Sequence, residues 1–197
     1  MRIIGITGGV GSGKSRVLSY IEEKYDAVIC QADHVAWELQ KPGKSCYIEI
    51  VKHFGTTILN ADGTIHRGKL GQIVFGNRDE LLVLNQIMHP AVKSEIIERI
   101  YAEKNNGTKY FVLEAALLLE EGYNHICDEL WYIYADEHIR RIRLKENRAY
   151  SDEKIDAIIA SQLDEMVFRE KCQILIDNSG KFDDTCYQID KAIGDYR

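Results

Sequence analysis

The residues best suited to chemistry lie near the amino terminus, in the run GGVGSGKS at residues 8–15. This run fits the pattern G-x-x-x-x-G-K-[ST] of a phosphate-binding loop. An apolar stretch at residues 3–6 precedes it, as a buried parallel strand would, and Val17, Leu18 and Ile21 follow at helical spacing. The sequence therefore predicts that the loop forms a strand-to-helix turn, which is where phosphate binding requires it.

Each fixed residue of the loop has its own part in that chemistry. Glycine allows backbone angles that a Cβ would block, so main-chain N–H groups can converge on phosphate oxygens. The loop has four such residues: Gly8, Gly9, Gly11 and Gly13. Lys14 offers a positive charge to the β- and γ-phosphates, and the Ser15 hydroxyl can bind Mg²⁺. We predict nucleotide phosphate binding here; the alternative is a glycine-rich turn that binds nothing.

Two carboxylates follow predicted strands and are candidates for the same site. Asp33 comes after the apolar residues 27–30, and Glu114 ends the apolar stretch 109–113. Ligands of open α/β sheets bind at the carboxyl ends of the strands. Asp33 is therefore a candidate general base or Mg²⁺ contact, and Glu114 is a candidate to hold Mg²⁺ through water. The alternatives are a helix N-cap for Asp33 and a first-turn helix glutamate for Glu114.

Four arginines gather in residues 136–148, although the chain as a whole is acidic. At helical spacing Arg140 and Arg143 share one face. Guanidinium groups suit phosphate oxygens and the charge that develops on a transferred phosphoryl group. The alternative is a salt-bridged helix surface, which we favour for Arg141. Arg148 is expected at a mobile tip.

The remaining pattern predicts the frame that positions these groups. Apolar runs indicate strands at residues 3–6, 27–30, 109–113, 129–135 and 174–176, with helices between them. Residues 45–106 are helical in pattern and too long for an ordinary crossover. His89-Pro90 is predicted to separate two helices there. Arg67 and Lys69 lie in this insertion, either as solvated surface charges or as phosphate contacts.

These features predict an α/β, P-loop NTPase-type three-layer fold with a five-stranded parallel sheet. The expected core comprises residues 1–44, 107–136 and 170–197. A helical substrate-binding insertion covers about 45–106, and an arginine-rich lid covers about 137–169.

Composition limits the classes of partner. The chain has 197 residues and a net charge of −6, which argues against a general nucleic-acid or membrane binder. Its five cysteines are scattered and without metal-ligand spacing, as expected for free thiols in a reducing cytoplasm. No apolar run has the length of a transmembrane helix, and the first strand begins too early to leave room for a signal peptide.

The combination favours phosphoryl transfer over hydrolysis. A kinase must exclude water from the phosphates, and an insertion that holds the acceptor and a closing lid both serve that need. The alternatives are a GTPase-type switch and a nucleotide-binding module without chemistry. The switch is disfavoured because the guanine signature N-K-x-D is absent and the D-x-x-G string at Asp177 follows the last strand.

The sequence resembles the dephospho-CoA kinase family over essentially its whole length. The resemblance is carried by residues 5–15, Ala32-Asp33, Pro42-Gly43, Leu59, Asp62-Gly63, Ile65, Arg67, Val74-Phe75, His89-Pro90, Leu117-Leu118, Glu120, Arg143-Leu144, Ser151, Gln162 and residues 176–178. It implies the last step of coenzyme A synthesis: phosphorylation of the ribose 3′-hydroxyl of dephospho-CoA by ATP with Mg²⁺, in the cytoplasm. The alternative is another P-loop small-molecule or nucleoside monophosphate kinase. No obligate protein partner is evident.

The resemblance also implies site residues. Asp33 would act as base or orienting group for the hydroxyl, with Lys14, Arg140 and Arg148 as the other catalytic residues. ATP would be bound by residues 8–16, which include Ser12 and Arg16, and by Asn178 near the adenine. Arg67, Lys69 and His89 would contact dephospho-CoA.

Four residues depart from the family pattern. Arg16 stands where threonine is common, Gln31 replaces a frequent second carboxylate, Glu114 replaces aspartate and Ala116 replaces proline. None of them removes a group that the reaction needs.

Overall fold

The computed structural model describes residues 1–194, which include five strands that form one parallel sheet. The five strands are Arg2–Thr7 (β1), Val28–Gln31 (β2), Tyr110–Glu114 (β3), Glu129–Tyr134 (β4) and Ile174–Asp177 (β5). Their order in the sheet is β2-β3-β1-β4-β5. The strand β1 runs parallel to β3, with Ile6 opposite Glu114, and parallel to β4, with Ile6 opposite Trp131. The predicted fold class is confirmed.

Nine α-helices lie within the described residues. They are Lys14–Tyr25 (α1), Ala32–Leu39 (α2), Ser45–Phe54 (α3), Arg67–Gly76 (α4), Arg78–Asn105 (α5), Glu137–Arg148 (α6), Asp152–Ala160 (α7), Glu165–Lys171 (α8) and Phe182–Gly194 (α9). Residues 195–197, the end of the predicted core segment 170–197, lie outside the described residues.

Chain contacts divide the protein into two compact units. We call residues 1–29 with 103–197 the sheet unit, and residues 30–102 the helical unit. The helical unit includes the last two residues of β2 and most of the predicted insertion, in which Leu59 and Ile65 form an isolated β bridge.

The core of the sheet unit explains why the phosphate loop is held firmly. Alternate residues of the strands, such as Ile4, Trp131 and Ile133, are fully buried and pack with α1 and α9 on one face of the sheet. Residues of the opposite parity point to the other face, where Tyr132 stacks on Phe168 of α8 with ring centroids 4.9 Å apart. Both ends of the loop therefore continue into buried elements.

A polar cluster joins α1 to α9 at the far end of α1. The Asp190 carboxylate accepts hydrogen bonds from Tyr20 at 2.8 Å, Lys24 at 2.7 Å and Tyr25 at 2.6 Å. Partial burial works to raise the pKa of Asp190, but these three hydrogen bonds hold it below its ordinary value. The cluster fixes the helix that follows the loop.

The predicted break at His89-Pro90 is wrong. Helix α5 is continuous from Arg78 to Asn105, with Pro90 inside it. An interior proline costs about 3 kcal/mol because a backbone hydrogen bond is lost. On one face of this helix, however, Met88, Val92, Ile96 and Ile100 are all buried, and each contributes about 1.5–3 kcal/mol of apolar burial. The free energy gained by burying these four side chains exceeds the cost of the interior proline.

Three helices bury very few apolar residues. Helix α7 begins after the Ser151 cap, ends at Ala160 and buries only Ile155. Helix α8 begins after an Asp164 cap and buries only Phe168. Helix α4 buries only Leu70 and Val74. With so few apolar residues, these helices give a weak periodic signal.

Among residues 1–194, none of the helices combines the length and the apolar character that crossing a bilayer requires.

Candidate active site

The phosphate loop connects β1 to α1, as predicted. Gly13 is the N-cap of α1 and has φ 88°, a left-handed conformation that favours glycine. A Cβ at Gly13 would overlap the side-chain amide of Asn178. The Ser12 hydroxyl is buried and has no hydrogen-bond partner among the described residues, and neither has that of Thr7 at the end of β1. These two buried hydroxyls can therefore form hydrogen bonds with a ligand at the loop.

Lys14 and Glu114 lie together beside the loop. The Lys14 Nζ donates to the Gly8 carbonyl at 2.6 Å and lies 3.9 Å from Glu114 Oε1. Glu114 is the last residue of β3 and is 9% exposed. The alternative of a first-turn helix glutamate is therefore wrong. The carboxylate lies at the carboxyl edge of the sheet, where parallel α/β sheets bind their ligands.

Arg140 of α6 lies directly on the loop. Its Nε donates to the Val10 carbonyl at 2.9 Å, and its guanidinium covers Gly9 so closely that a Cβ there would be 2.5 Å from Cζ. The guanidinium also donates to Gln162 Oε1 at 2.5 Å. Because Gly9 has no side chain, the Arg140 guanidinium can lie this close to the backbone of the loop.

Arg143 lies one turn after Arg140 on the same face of α6, and its hydrogen bonds connect the loop to the residue that follows β5. It donates to the Ser12 carbonyl at 3.2 Å and to the Asn178 carbonyl at 2.8 Å. Burial and the nearby charge of Arg16 lower the pKa of Arg143. The predicted shared face of Arg140 and Arg143 therefore contacts the loop.

Both polar atoms of the Asn178 side chain form hydrogen bonds within the protein. Its Nδ2 donates to the Ser12 carbonyl at 2.7 Å, and its Oδ1 accepts from Thr185 at 3.0 Å. Asn178 is only 3% exposed. Its amide thus holds the loop in place. Nearby, the Arg16 guanidinium lies 3.7 Å from the ring centroid of Phe182, which leaves a planar cation beside the loop.

The other two arginines of α6 lie away from the loop contacts described above. Arg141 forms ion pairs with Glu137 at 2.8 Å and Asp156 at 2.7 Å, so the predicted salt-bridged surface is confirmed for it. Arg148 is exposed at the last residue of α6, with its Cζ 5.9 Å from the ring centroid of Tyr150. Its catalytic role stays a prediction.

In the helical unit, Asp33 is the second residue of α2 and is exposed. The N-cap of that helix is Gln31, so the N-cap alternative for Asp33 is wrong. A carboxylate in the first turn is stabilised by the helix dipole and is available to a ligand.

The three other predicted substrate contacts are spread over two helices of the helical unit. Arg67 is exposed at the start of α4, and Lys69, two residues later, donates through Nζ to the Leu59 carbonyl at 3.1 Å. His89 is half-buried in the middle of α5.

Sequence reasoning assigned no role to Gln162. It lies 22 positions after Arg140 in the loop between α7 and α8. A single polar residue in a loop gives no local signal, so its contact with Arg140 could only be found from the fold.

The donor set fits a nucleotide with Mg²⁺. Among residues 1–194, no three His, Cys, Asp or Glu side chains are grouped to hold a metal. Mg²⁺ at nucleotide sites uses only one or two protein ligands together with phosphate oxygens and waters. Ser15 and Glu114 beside the loop supply that number, and the buried Ser12 hydroxyl adds a partner for a phosphate oxygen.

Comparison with known proteins identifies the family. The family model of dephospho-CoA kinase (CoaE) matches residues 2–184. A dephospho-CoA kinase of Carboxydothermus hydrogenoformans is 41% identical over 190 residues, which cover 95% of this chain and 90% of the relative.

Solved structures share the fold. The protein TT1252 of Thermus thermophilus superposes with a TM-score of 0.84 at 23% identity, covering 100% of this chain and 98% of the other. A dephospho-CoA kinase from Campylobacter jejuni gives a TM-score of 0.74 at 24% identity, covering 99% and 97%. Because the family model matches nearly the whole of this chain, the chain belongs to the dephospho-CoA kinase family.

Proposed function

We propose that this protein transfers the γ-phosphoryl group of ATP to the ribose 3′-hydroxyl of dephospho-CoA, giving coenzyme A and ADP. Family membership over residues 2–184 supports the acceptor. The observation that carries the chemistry is the convergence of Lys14, Arg140 and Arg143 on a single glycine-rich loop. Three cations at one loop can balance the negative charge of a triphosphate, which a protein of net charge −6 would otherwise repel.

In the proposed step, the acceptor oxygen forms a bond to the γ-phosphorus while the bond between this phosphorus and the β–γ bridging oxygen breaks. Asp33 orients the 3′-hydroxyl and accepts its proton. Lys14 and Arg140 stabilise the charge that develops on the phosphoryl oxygens and on the departing ADP. Mg²⁺, when bound, neutralises phosphate charge; Ser15 and, through water, Glu114 would hold it.

The remaining assignments follow the same scheme. The helical segment at about 45–106 holds the acceptor through Arg67, Lys69 and His89, and the segment at about 137–169 covers the phosphates, with Arg148 approaching the transferred group. Residues 8–16 bind the phosphates of ATP, and Asn178 holds the loop beside the adenine.

We also propose a cytoplasmic location. Its support is that all five cysteines are free thiols, as is usual in a reducing compartment. Full burial of Cys30 and partial burial of Cys127 and Cys172 agree with this. The burial raises the pKa of Cys127 to about 12 and of Cys30 and Cys172 to about 11, which keeps these thiols protonated.

The deciding experiment is coupled detection of ADP with dephospho-CoA, compared with adenosine, AMP, shikimate and gluconate. We expect ADP release to require an acceptor and to be fastest with dephospho-CoA by at least ten-fold. Equal rates without any acceptor would indicate a hydrolase, and a preference for another acceptor would overturn the assignment of substrate.

A further inference from the structure

A small cavity in the helical unit is lined in part by Arg67, which is assigned above to the acceptor, but no chemical group of the acceptor has been placed in it. Its volume is about 100 Å³, and it lies where the end of α2 meets the start of α4. Its lining includes Trp37, Lys41, Pro42, Ile65 and Arg67, and none of the lining residues is acidic.

The charge of this cavity is unusual for the chain. Lys41 and Arg67 are both exposed, and neither forms an ion pair among residues 1–194. Lys41 contributes to the lowered pKa of Glu38, but that carboxylate is already hydrogen-bonded to Arg99 at 2.6 Å. Two cations without acidic partners at one cavity, in a protein of net charge −6, indicate an anion site.

The cavity is large enough for a phosphoryl group. Its volume of about 100 Å³ is several times the space that one bound water molecule needs. The indole of Trp37 is also engaged by its own helix. His34 stacks on it at 5.6 Å between centroids, and the Lys41 ammonium lies 4.0 Å from its centroid. Trp37 therefore holds Lys41 in place and is not a stacking platform for a base.

The position of the cavity relates it to Asp33. Asp33, Trp37 and Lys41 are spaced four residues apart, and the Lys41 N–H still donates to the Glu38 carbonyl at 3.1 Å, so the turn continues past the end of α2. Four residues of helix rise about 6 Å, so the row spans about 12 Å. In dephospho-CoA, the diphosphate is attached to the ribose that carries the reacting 3′-hydroxyl. An acceptor with its hydroxyl at Asp33 has its diphosphate within reach of this row.

We propose that Lys41 and Arg67, with Trp37 positioning Lys41, form the subsite for the diphosphate of dephospho-CoA. The assignment of the substrate rests on the proposed function, whereas the anion site rests on the cavity. The pantetheine arm then leaves the diphosphate past the apolar rim of Pro42 and Ile65.

The kinetic test compares Lys41→Gln and Arg67→Gln with the wild type at saturating ATP. We expect each variant to raise KM for dephospho-CoA by about ten-fold, as for loss of one charge-assisted contact at an exposed site, and to leave KM for ATP within two-fold. Lys44→Gln is the matched control, because Lys44 is exposed only three positions further on, outside the cavity. Unchanged KM for dephospho-CoA in both variants would overturn the subsite.

A binding test does not depend on turnover. The protein has two tryptophans, of which Trp37 is 43% exposed and Trp131 is fully buried, so iodide quenching reports on Trp37. We expect inorganic diphosphate to protect Trp37 from iodide in the wild type and to protect it at least ten-fold less well in Lys41→Gln. Adenosine and pantetheine should not protect. Trp37→Phe should remove the quenchable signal and so verify the reporter.

The two proposals fail separately. If the wild type releases no ADP with dephospho-CoA, the proposed function fails and the assignment of substrate to this cavity fails with it. If the wild type turns over dephospho-CoA but diphosphate leaves the quenching of Trp37 unchanged, only the subsite is wrong.

Discussion

At the residue scale, Lys14 is the group on which the proposed phosphoryl transfer should depend most directly. Its ammonium already lies at the loop, 2.6 Å from the Gly8 carbonyl and 3.9 Å from Glu114. We expect Lys14→Ala to lower kcat by about 10²–10³-fold, which is the usual cost of removing one preorganised donor to a developing charge. The exposed Lys104, changed to alanine, is the control and should behave as wild type in the same ADP assay. Activity of Lys14→Ala within a few-fold of wild type would exclude the loop from the chemistry.

The role proposed for Asp33 is different, because Asp33 would act on the acceptor hydroxyl. Asp33→Asn keeps the shape but cannot take a proton, so we expect kcat to fall by about 10²–10⁴-fold, while KM for ATP changes little. Asp79 is also an exposed aspartate in the first turn of a helix, so Asp79→Asn controls for loss of the dipole interaction alone. Turnover of Asp33→Asn equal to that of Asp79→Asn would remove Asp33 from the mechanism.

At the element scale, strands were more predictable than helix ends. Each strand is a short apolar run bounded by turn residues, and each predicted run overlaps the observed strand to within two residues; the third, predicted at residues 109–113, is found at Tyr110–Glu114. Helix ends depend on burial, which a single sequence does not show. Pro90 lies inside α5 because residues on both sides of it face one core. Helix α8 buries only Phe168, and one buried apolar residue is too few to give a periodic sequence pattern.

The turn that joins the loop to α1 gives a prediction at this scale. Gly13→Ala places a methyl group in a left-handed conformation and against the Asn178 amide, so the bond between Asn178 and Ser12 at 2.7 Å must break. We expect a loss of about 1–2 kcal/mol from backbone strain, or roughly 2–8 °C in Tm, together with weakened ATP binding. The measurements are thermal unfolding and titration with ATP.

Gly107→Ala separates strain from contact. Gly107 has φ 78° and no atom within 4 Å of an added Cβ, so its substitution introduces the same strain with no clash. We expect a similar shift in Tm with normal affinity for ATP. Equal ATP affinity in Gly13→Ala and Gly107→Ala would show that the contact with Asn178 does not shape the loop.

Helix α6 offers a second comparison, between its two ends. Arg140 contacts the loop, whereas Arg148 is exposed at the last residue. We expect Arg140→Ala to lower kcat by about 10²–10³-fold. Arg148→Ala should lower kcat more than it raises KM, since its contact would form mainly in the transition state. Arg141→Ala is the control, because its ion pairs lie elsewhere. A pure KM effect in Arg148→Ala would make Arg148 a binding residue.

At the scale of the whole molecule, the sequence predicted which groups lie beside the loop better than it predicted the partners that hold them. The loop, Glu114, Arg140 and Arg143 were found from motif, strand end and helical spacing, all of which are local signals. The partners that fix them are distant in sequence: Gln162 binds Arg140, and Thr185 binds the Asn178 amide. Such pairs depend on how the helices pack on the sheet, and this packing cannot be read from a single sequence.

The division into two units gives the last prediction. Two half-buried thiols report on the sheet unit, Cys127 and Cys172, and two buried thiols report on the helical unit, Cys30 and Cys46. Burial raises the pKa of all four thiols, so at pH 8 local opening should speed their labelling by iodoacetamide. A ligand at 100 times its Kd stabilises the unit that binds it by about 2.7 kcal/mol, or about 100-fold in labelling rate.

A non-hydrolysable ATP analogue with Mg²⁺ should therefore slow labelling mainly at Cys127 and Cys172. S-methylated dephospho-CoA, which has no thiol to consume the reagent, should slow it mainly at Cys30 and Cys46. Mass spectrometry of the labelled peptides measures each rate separately. If either ligand slowed all four sites equally, the chain would open as one cooperative body, and donor and acceptor binding could not be assigned to separate units.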